Sequence, residues 1–304
     1  MSVTSSTAVV DQLGELPPGH MQAPPRSWWD RSFRPLLLAG LSVGIVVLAI
    51  LLIFIFVSGW SRLTPTLWQN MPSIQFPELA GAQSAIMGSI WVIATTACIS
   101  LPVGIMAAIY LEEYGNPNGR FFRLVEINIQ NLAAVPSIVY GILGLGVIAR
   151  ALALGQTVIT AAITLSLLVL PVVIISTREA LRAVPQSIRF GSLALGATKW
   201  QTIWKQVLPA ALPGTATGSI LALSRAMGEA APLLLLGAVT YITFNPSGVM
   251  SAYTVMPIQI YNWTSQSRDE FHTLAAALCV LLLVILLIMN GVAIFLRNRY
   301  QRRW

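Results

Sequence analysis

The stretch Phe190-Gly191-Ser192-Leu193-Ala194-Leu195-Gly196-Ala197-Thr198-Lys199-Trp200, running on to Val207-Leu208-Pro209, lies between two long apolar runs, 156–176 and 211–240. It is the centre of a polar, basic segment of some thirty residues, Thr177 to Val207. A connector between two membrane helices needs only a few residues, so a segment of this length serves something outside the bilayer. From Leu193 onward Leu193, Ala197, Trp200, Ile203, Trp204 and Val207 recur at three- and four-residue spacing, with Thr198, Lys199, Gln201 and Lys205 between them, which predicts an amphipathic helix. Gly196 and Ala197 leave one turn almost bare, so another surface can approach closely, and Trp200 or Trp204 can fill a pocket on it. The same periodicity suits a helix lying flat among lipid headgroups with its tryptophans as interface anchors, and the spacing does not separate the two.

Outward from this segment the chain is apolar. Hydrophobic residues make up 56% of its 304 residues, charged residues 10%, and the mean hydropathy is +0.74, a balance that marks an integral membrane protein. The net charge of +7 does not indicate nucleic acid, because arginines gather beside hydrophobic runs, Arg26, Arg31 and Arg34 before the first and Arg297, Arg299, Arg302 and Arg303 after the last. Cys98 and Cys279 sit in apolar runs and no CxxC or Cys/His cluster accompanies them, which argues against zinc and redox chemistry. No phosphate loop, HExxH, GxSxG or dinucleotide motif occurs, so no cofactor is expected on this chain.

A membrane-crossing helix needs roughly twenty apolar residues, and six runs qualify: 36–57, 84–110, 126–149, 156–176, 211–240 and 272–296. The fold class is therefore an all-α membrane protein of six transmembrane helices. With the N-terminus inside, fourteen Lys and Arg residues fall on cytoplasmic segments and three, Arg62, Arg150 and Arg268, on external ones, so both termini are expected in the cytoplasm. The organisation that follows is a disordered tail over 1–35, a first span over 36–57 and an external connector over 58–83. A core over 84–296 carries the cytoplasmic loop 177–210, and a basic tail covers 297–304. Trp60 and Trp68 in one external connector, and Tyr253, Tyr261 and Trp263 in the other, read as interfacial aromatics. Pro102, Pro136, Pro171 and Pro232, with Gly141, Gly144 and Gly146, predict kinked, closely packed helices.

One charged pair stands inside a span. Arg225 and Glu229 are four residues apart in Leu221-Ala222-Leu223-Ser224-Arg225-Ala226-Met227-Gly228-Glu229-Ala230-Ala231-Pro232, which places both on one helix face near the bilayer centre. A cation there costs about 3 kcal/mol or more, so pairing and a polar cavity are expected, and the planar guanidinium suits oxyanion oxygens. A purely structural ion pair is the alternative. Elsewhere Glu112 and Glu113 read as solvated acids beside a turn, Glu126 as a snorkelling residue, and His20 and His272 as isolated.

Residues 194–200 followed by Leu208-Pro209 resemble the cytoplasmic signature of binding-protein-dependent ABC importer permeases, which reads EAA, three residues, Gly, nine residues, I-x-L-P. Gly196 takes the signature glycine, whereas Phe190-Gly191-Ser192 stand in place of Glu-Ala-Ala and Gln206 in place of Ile. Arg225 to Leu234 is similar to the R-x-x-G-E-T-A-P-L-L run of phosphate ABC importer permeases of the A-subunit type, with Ala230 replacing the threonine, and Val135-Pro136-Ser137-Ile138-Val139-Tyr140-Gly141 is similar to their VPSIVYG segment. The resemblance covers roughly 83–296. It implies a type I ABC importer transmembrane domain in the bacterial plasma (inner) membrane. Its implied partners are a C-type second permease, a dimer of a cytoplasmic ATPase that binds the ATP, and a periplasmic or lipid-anchored phosphate-binding protein. It further implies that Arg225 and Glu229 line the substrate pathway and that Gly196, Ala197, Thr198, Trp200, Leu208 and Pro209 couple to the ATPase. The rivals are a secondary anion transporter, a permease for sulfate or molybdate, and a membrane scaffold that does not transport.

Overall fold

Long apolar runs with few breaks satisfy their backbone groups only as helices in a medium without water, and the chain is helical almost throughout. The computed structural model describes residues 28–116, 118–238 and 241–300. It divides at Phe54–Ile55 into two units. The first is described through helix α1 (Trp28–Gly59), whose last turn belongs to the second unit. This helix starts eight residues ahead of the expected span, so residues 28–35 are helical rather than part of a tail; residues 1–27, with His20 and Arg26, lie outside the described residues.

The second unit contains α2 (Gln83–Tyr114), α3 (Arg120–Ala134) and α4 (Ser137–Ala151), followed by α5 (Val158–Arg182), α6 (Gln186–Ala194) and α7 (Lys199–Met227). The short α8 (Ala231–Leu235), then α9 (Met256–Thr264) and α10 (Asp269–Tyr300), complete it. By length and composition α1, α2, α5, α7 and α10 can each cross a membrane, and α3 with α4 makes a sixth crossing if the bent pair counts as one. At the centre is α5, with Ala161, Leu165, Val169 and Val173 at four-residue spacing buried between α2 and α7. Lipid tails are as apolar as leucine, so close backbone approach holds such helices together. A Cβ on Gly104 of α2 would stand 2.7 Å from Val173 Cγ1, and Gly214 of α7 lies equally close against Ala180.

Three expected continuities are absent. The third span, read as 126–149, is two helices bent by 102°. Pro136 disfavours helical geometry in the residue before it, and Val135 is extended (ψ 130°). Tyr140 bridges the break by donating its hydroxyl hydrogen to the Leu132 carbonyl at 2.8 Å. The fifth span, read as 211–240, ends as a helix at Met227, and α8 lasts five residues before Gly237 turns the chain with φ +76°. The helix expected from Leu193 is interrupted at Gly196 (φ +84°), between α6 and α7. Conversely α5 runs six residues past 176, and α10 carries on through Tyr300 into the expected basic tail.

The segment between α8 and α9, expected as an external connector, is folded into the bundle. Ser89 Oγ accepts from the Met256 N–H at 2.9 Å, Ser84 donates to the Ile242 carbonyl at 3.0 Å, and the Val158 N–H donates to the Ser251 carbonyl at 3.1 Å. Tyr253 and Trp263 are consequently buried rather than interfacial, because hydrogen bonds from α2 and α5 draw the strand-like segment before α9 inward; Tyr261 alone of the three is exposed. Burial pushes the Tyr253 phenol above its ordinary range.

Candidate functional site

Where α7 stops, backbone polarity and charge meet. Gly228 ends the helix with its N–H on the Arg225 carbonyl at 3.1 Å, and the Glu229 N–H reaches the Ala226 carbonyl at 3.2 Å. Ala231-Pro232 then open α8, where a missing proline N–H costs nothing in the first turn. Arg225 and Glu229 therefore do not share a helix face; they sit on either side of a helix end, with Arg225 Nε 3.6 Å from Glu229 Oε1. The Arg225 side chain is 63% exposed and the Glu229 side chain 19%. That contact is the only ion pair of Arg225 among the described residues, so the outer guanidinium nitrogens remain uncommitted.

Both line an open cavity of about 480 Å³ together with Leu221, Ser224, Gly228, Leu286 and Asn290. Leu286 is the eighteenth of the 32 residues of α10, which sets the cavity level with the middle of a membrane-length helix. Irregular backbone is tolerated at such a depth where it lines a polar space. Gly141 of α4 lies against α8: a Cβ there would stand 2.7 Å from Pro232 Cα. The two segments whose sequences resemble phosphate permeases, 135–141 and 225–234, are thus in contact.

At the other end of α7 the loop residues divide. Thr198 caps the helix reciprocally with Gln201, its Oγ1 accepting from the Gln201 N–H at 3.2 Å while Gln201 Oε1 accepts from the Thr198 N–H at 2.9 Å. Ile203 and Val207 are buried, the latter against Leu181 and Val184, whereas Trp200 and Trp204 are exposed and stack on each other with centroids 5.6 Å apart. Leu208 is half-buried and Pro209 exposed where α7 regains regular geometry after a wider turn. A Cβ on Gly196 would meet nothing within 4 Å, so its glycine serves the left-handed backbone and not close packing within this chain. Ala197 is half-buried in the same turn, and Leu195 beside it is 91% exposed.

The acids expected in water instead tie this region to the bundle. Glu113 accepts from Arg189 Nη2 at 2.7 Å, and Arg189 also donates to the Val184 and Leu181 carbonyls at 2.7 and 2.9 Å, capping the end of α5. Glu112 pairs with Arg178 and Arg182, at 3.3 and 2.7 Å, and Glu126 pairs with Arg178 at 3.2 Å. Lys199 lies 4.7 Å over the Tyr114 ring. These groups are far apart in sequence because the acids and the arginines fall on different connectors. Among the described residues no group of three His, Cys, Asp or Glu side chains is placed to hold a metal ion.

The family model described as binding-protein-dependent transport system inner membrane component matches residues 100–302, which include the polar segment 177–207 and the residues that line the cavity. The chain belongs to this family. As an inner membrane component it is a transport subunit with several membrane-crossing helices. It is 34% identical over 267 residues to the phosphate transport system permease protein PstA of Mycobacterium leprae, covering 84% of this chain and 86% of that one. To PstA 1 of Mycobacterium tuberculosis it is 30% identical over 264 residues, 86% of each chain. Among solved structures, a chain of a bacterial alginate ABC transporter aligns with TM-score 0.61 at 16% identity, covering 90% of this inner membrane component and 98% of that chain. A chain of the inward-facing MetNI methionine ABC transporter aligns with TM-score 0.56 at 19% identity, covering 76% and 100%. These likenesses establish the fold as that of an ABC importer permease.

Proposed function

We propose that this chain is the membrane-spanning permease subunit of an ATP-driven phosphate importer, forming half of its translocation pathway. The observation that carries the proposal is Arg225, a guanidinium with uncommitted donors in an open cavity at mid-helix depth, beside a carboxylate and a broken helix. The similarity to phosphate permeases supports phosphate over other oxyanions. Arg225 binds the passing anion, and Glu229 balances its charge when the pathway is empty. The exposed end of Arg225 faces a homologous C-type second permease, which closes the other wall.

Both termini and the α6–α7 turn face the cytoplasm, where the turn docks on an ATPase dimer through Gly196, Ala197, Thr198, Trp200, Leu208 and Pro209. A periplasmic or lipid-anchored phosphate-binding protein delivers the substrate from outside. Closure of the ATPase pulls the turn, and the ion pairs of Arg189 and Arg178 pass the displacement to α2 and α5, switching the cavity from outward to inward access.

The test is ATP-dependent uptake of radiolabelled phosphate by the assembled complex in proteoliposomes. Arg225→Ala should lower uptake by about tenfold or more, the worth of one charge-assisted hydrogen bond, with assembly unchanged. Phosphate, and neither sulfate nor molybdate, should stimulate ATP hydrolysis. Full uptake by Arg225→Ala, or uptake without any ATPase subunit, would overturn the proposal.

A further inference from the structure

The cavity contains a group that this pathway does not yet use. Asn290 reaches it from α10, and its Oδ1 is enclosed with no hydrogen-bond partner among the described residues. Its Nδ2 is neither enclosed nor bonded to protein among the described residues, so the N–H donors are the accessible end of the amide of this cavity-lining residue. Donors thus approach from two helices, Arg225 on α7 and Asn290 on α10. Glu229 lines the same cavity as an acceptor, with one oxygen 3.6 Å from Arg225 Nε and further lone pairs free.

An anion held by Arg225 lies near that carboxylate, which is 3.6 Å from the guanidinium Nε. A fully deprotonated oxyanion meets it oxygen to oxygen, with like charges and no hydrogen between them. An oxyanion that keeps a hydrogen at neutral pH donates it to Glu229 and turns the repulsion into a charge-assisted hydrogen bond. Phosphate and arsenate keep such a hydrogen; sulfate and molybdate do not. We infer that Asn290 and Glu229 complete Arg225 as a donor, donor and acceptor set that admits a protonated tetrahedral oxyanion and rejects an unprotonated one. The inference rests on the phosphate pathway proposed above and assigns selectivity to the permease itself, apart from any delivering protein.

The test uses the assembled permease and ATPase complex without binding protein, so that no other selectivity enters. Displacement of bound radiolabelled inorganic phosphate by unlabelled arsenate, sulfate and molybdate is measured. In the wild type, arsenate should compete as well as phosphate, and sulfate and molybdate should need about tenfold or higher concentrations. Glu229→Gln, which can donate to a bare oxygen, should bring sulfate to within about threefold of phosphate. Asn290→Leu should weaken phosphate and sulfate alike by several fold and leave their ratio unchanged. If that variant does not assemble, the nearly isosteric Asn290→Asp should weaken phosphate by more than about tenfold, because a second acceptor replaces the donors. An unchanged ratio in Glu229→Gln, or wild-type affinity in either Asn290 variant, would overturn the inference while the pathway stands. Wild-type phosphate affinity in Arg225→Ala would overturn the pathway reading instead.

Discussion

Two glycines of the sequence patterns have different physical reasons for being glycine. A Cβ on Gly141 would press on Pro232, 2.7 Å from its Cα and 2.8 Å from its carbonyl oxygen, and neither backbone atom can rotate away. Gly141→Ala should therefore cost about 1–3 kcal/mol through forced separation of α4 and α8. A melting curve of the assembled complex should show the loss as a Tm lowered by several degrees, with Gly146→Ala, where a Cβ meets nothing within 4 Å, as the unaffected control. Equal melting of both variants would show that the 135–141 and 225–234 segments are not pressed together. Gly196 is required by its φ of +84° alone, in open space. A large side chain there projects outward, so Gly196→Trp should strain the turn by about 1–2 kcal/mol while blocking co-purification of the ATPase; an unchanged yield of complex would contradict docking at this turn. The sequence marked both positions, but the reason for each, a neighbour ninety residues away in one case and a dihedral angle in the other, is visible only in three dimensions.

At the level of elements, helix ends depart most from sequence expectation. Hydropathy reads an apolar run as one span because it scores each residue independently of what could satisfy a freed backbone group. Residues 126–149 break at Pro136, where Tyr140 takes a freed carbonyl, and 211–240 break at Gly228, beside the open cavity. The periodicity from Leu193 to Val207 failed for a related reason: one glycine in a left-handed conformation interrupts the helix, and beyond it Ile203 and Val207 are buried while Trp200 and Trp204 are exposed. The short α6 has no buried residue of its own, and Arg189 fixes it to α2 through Glu113, with the two side chains 11% and 8% exposed. Removing one partner of a buried pair costs about 3–5 kcal/mol, since the other charge is left unpaired. Glu113→Gln should therefore speed amide hydrogen exchange over 186–194 by at least about tenfold while α5 stays protected. Unaltered exchange over α6 would show that packing, and not the ion pair, holds it.

For the whole molecule, the distribution of Lys and Arg makes a topological prediction that is independent of the cavity. In a variant lacking Cys98 and Cys279, a cysteine in place of the exposed Arg268 should react with a membrane-impermeant maleimide applied to intact cells, and one in place of the exposed Lys199 only after permeabilisation. Labelling in the reverse order would invert the topology and with it the docking proposal. The sequence by itself determined that the chain is helical, crosses a membrane several times and carries an arginine and a glutamate four residues apart in a long apolar run. Those properties follow from composition, run length and local spacing, which need no knowledge of neighbours. Only the tertiary structure decided where helices stop, which acids meet which arginines, and that Asn290 shares a cavity with Arg225 and Glu229. Each of these depends on groups distant in sequence supplying the hydrogen bond, counter-charge or empty space that makes a break or a buried charge tolerable in an apolar medium.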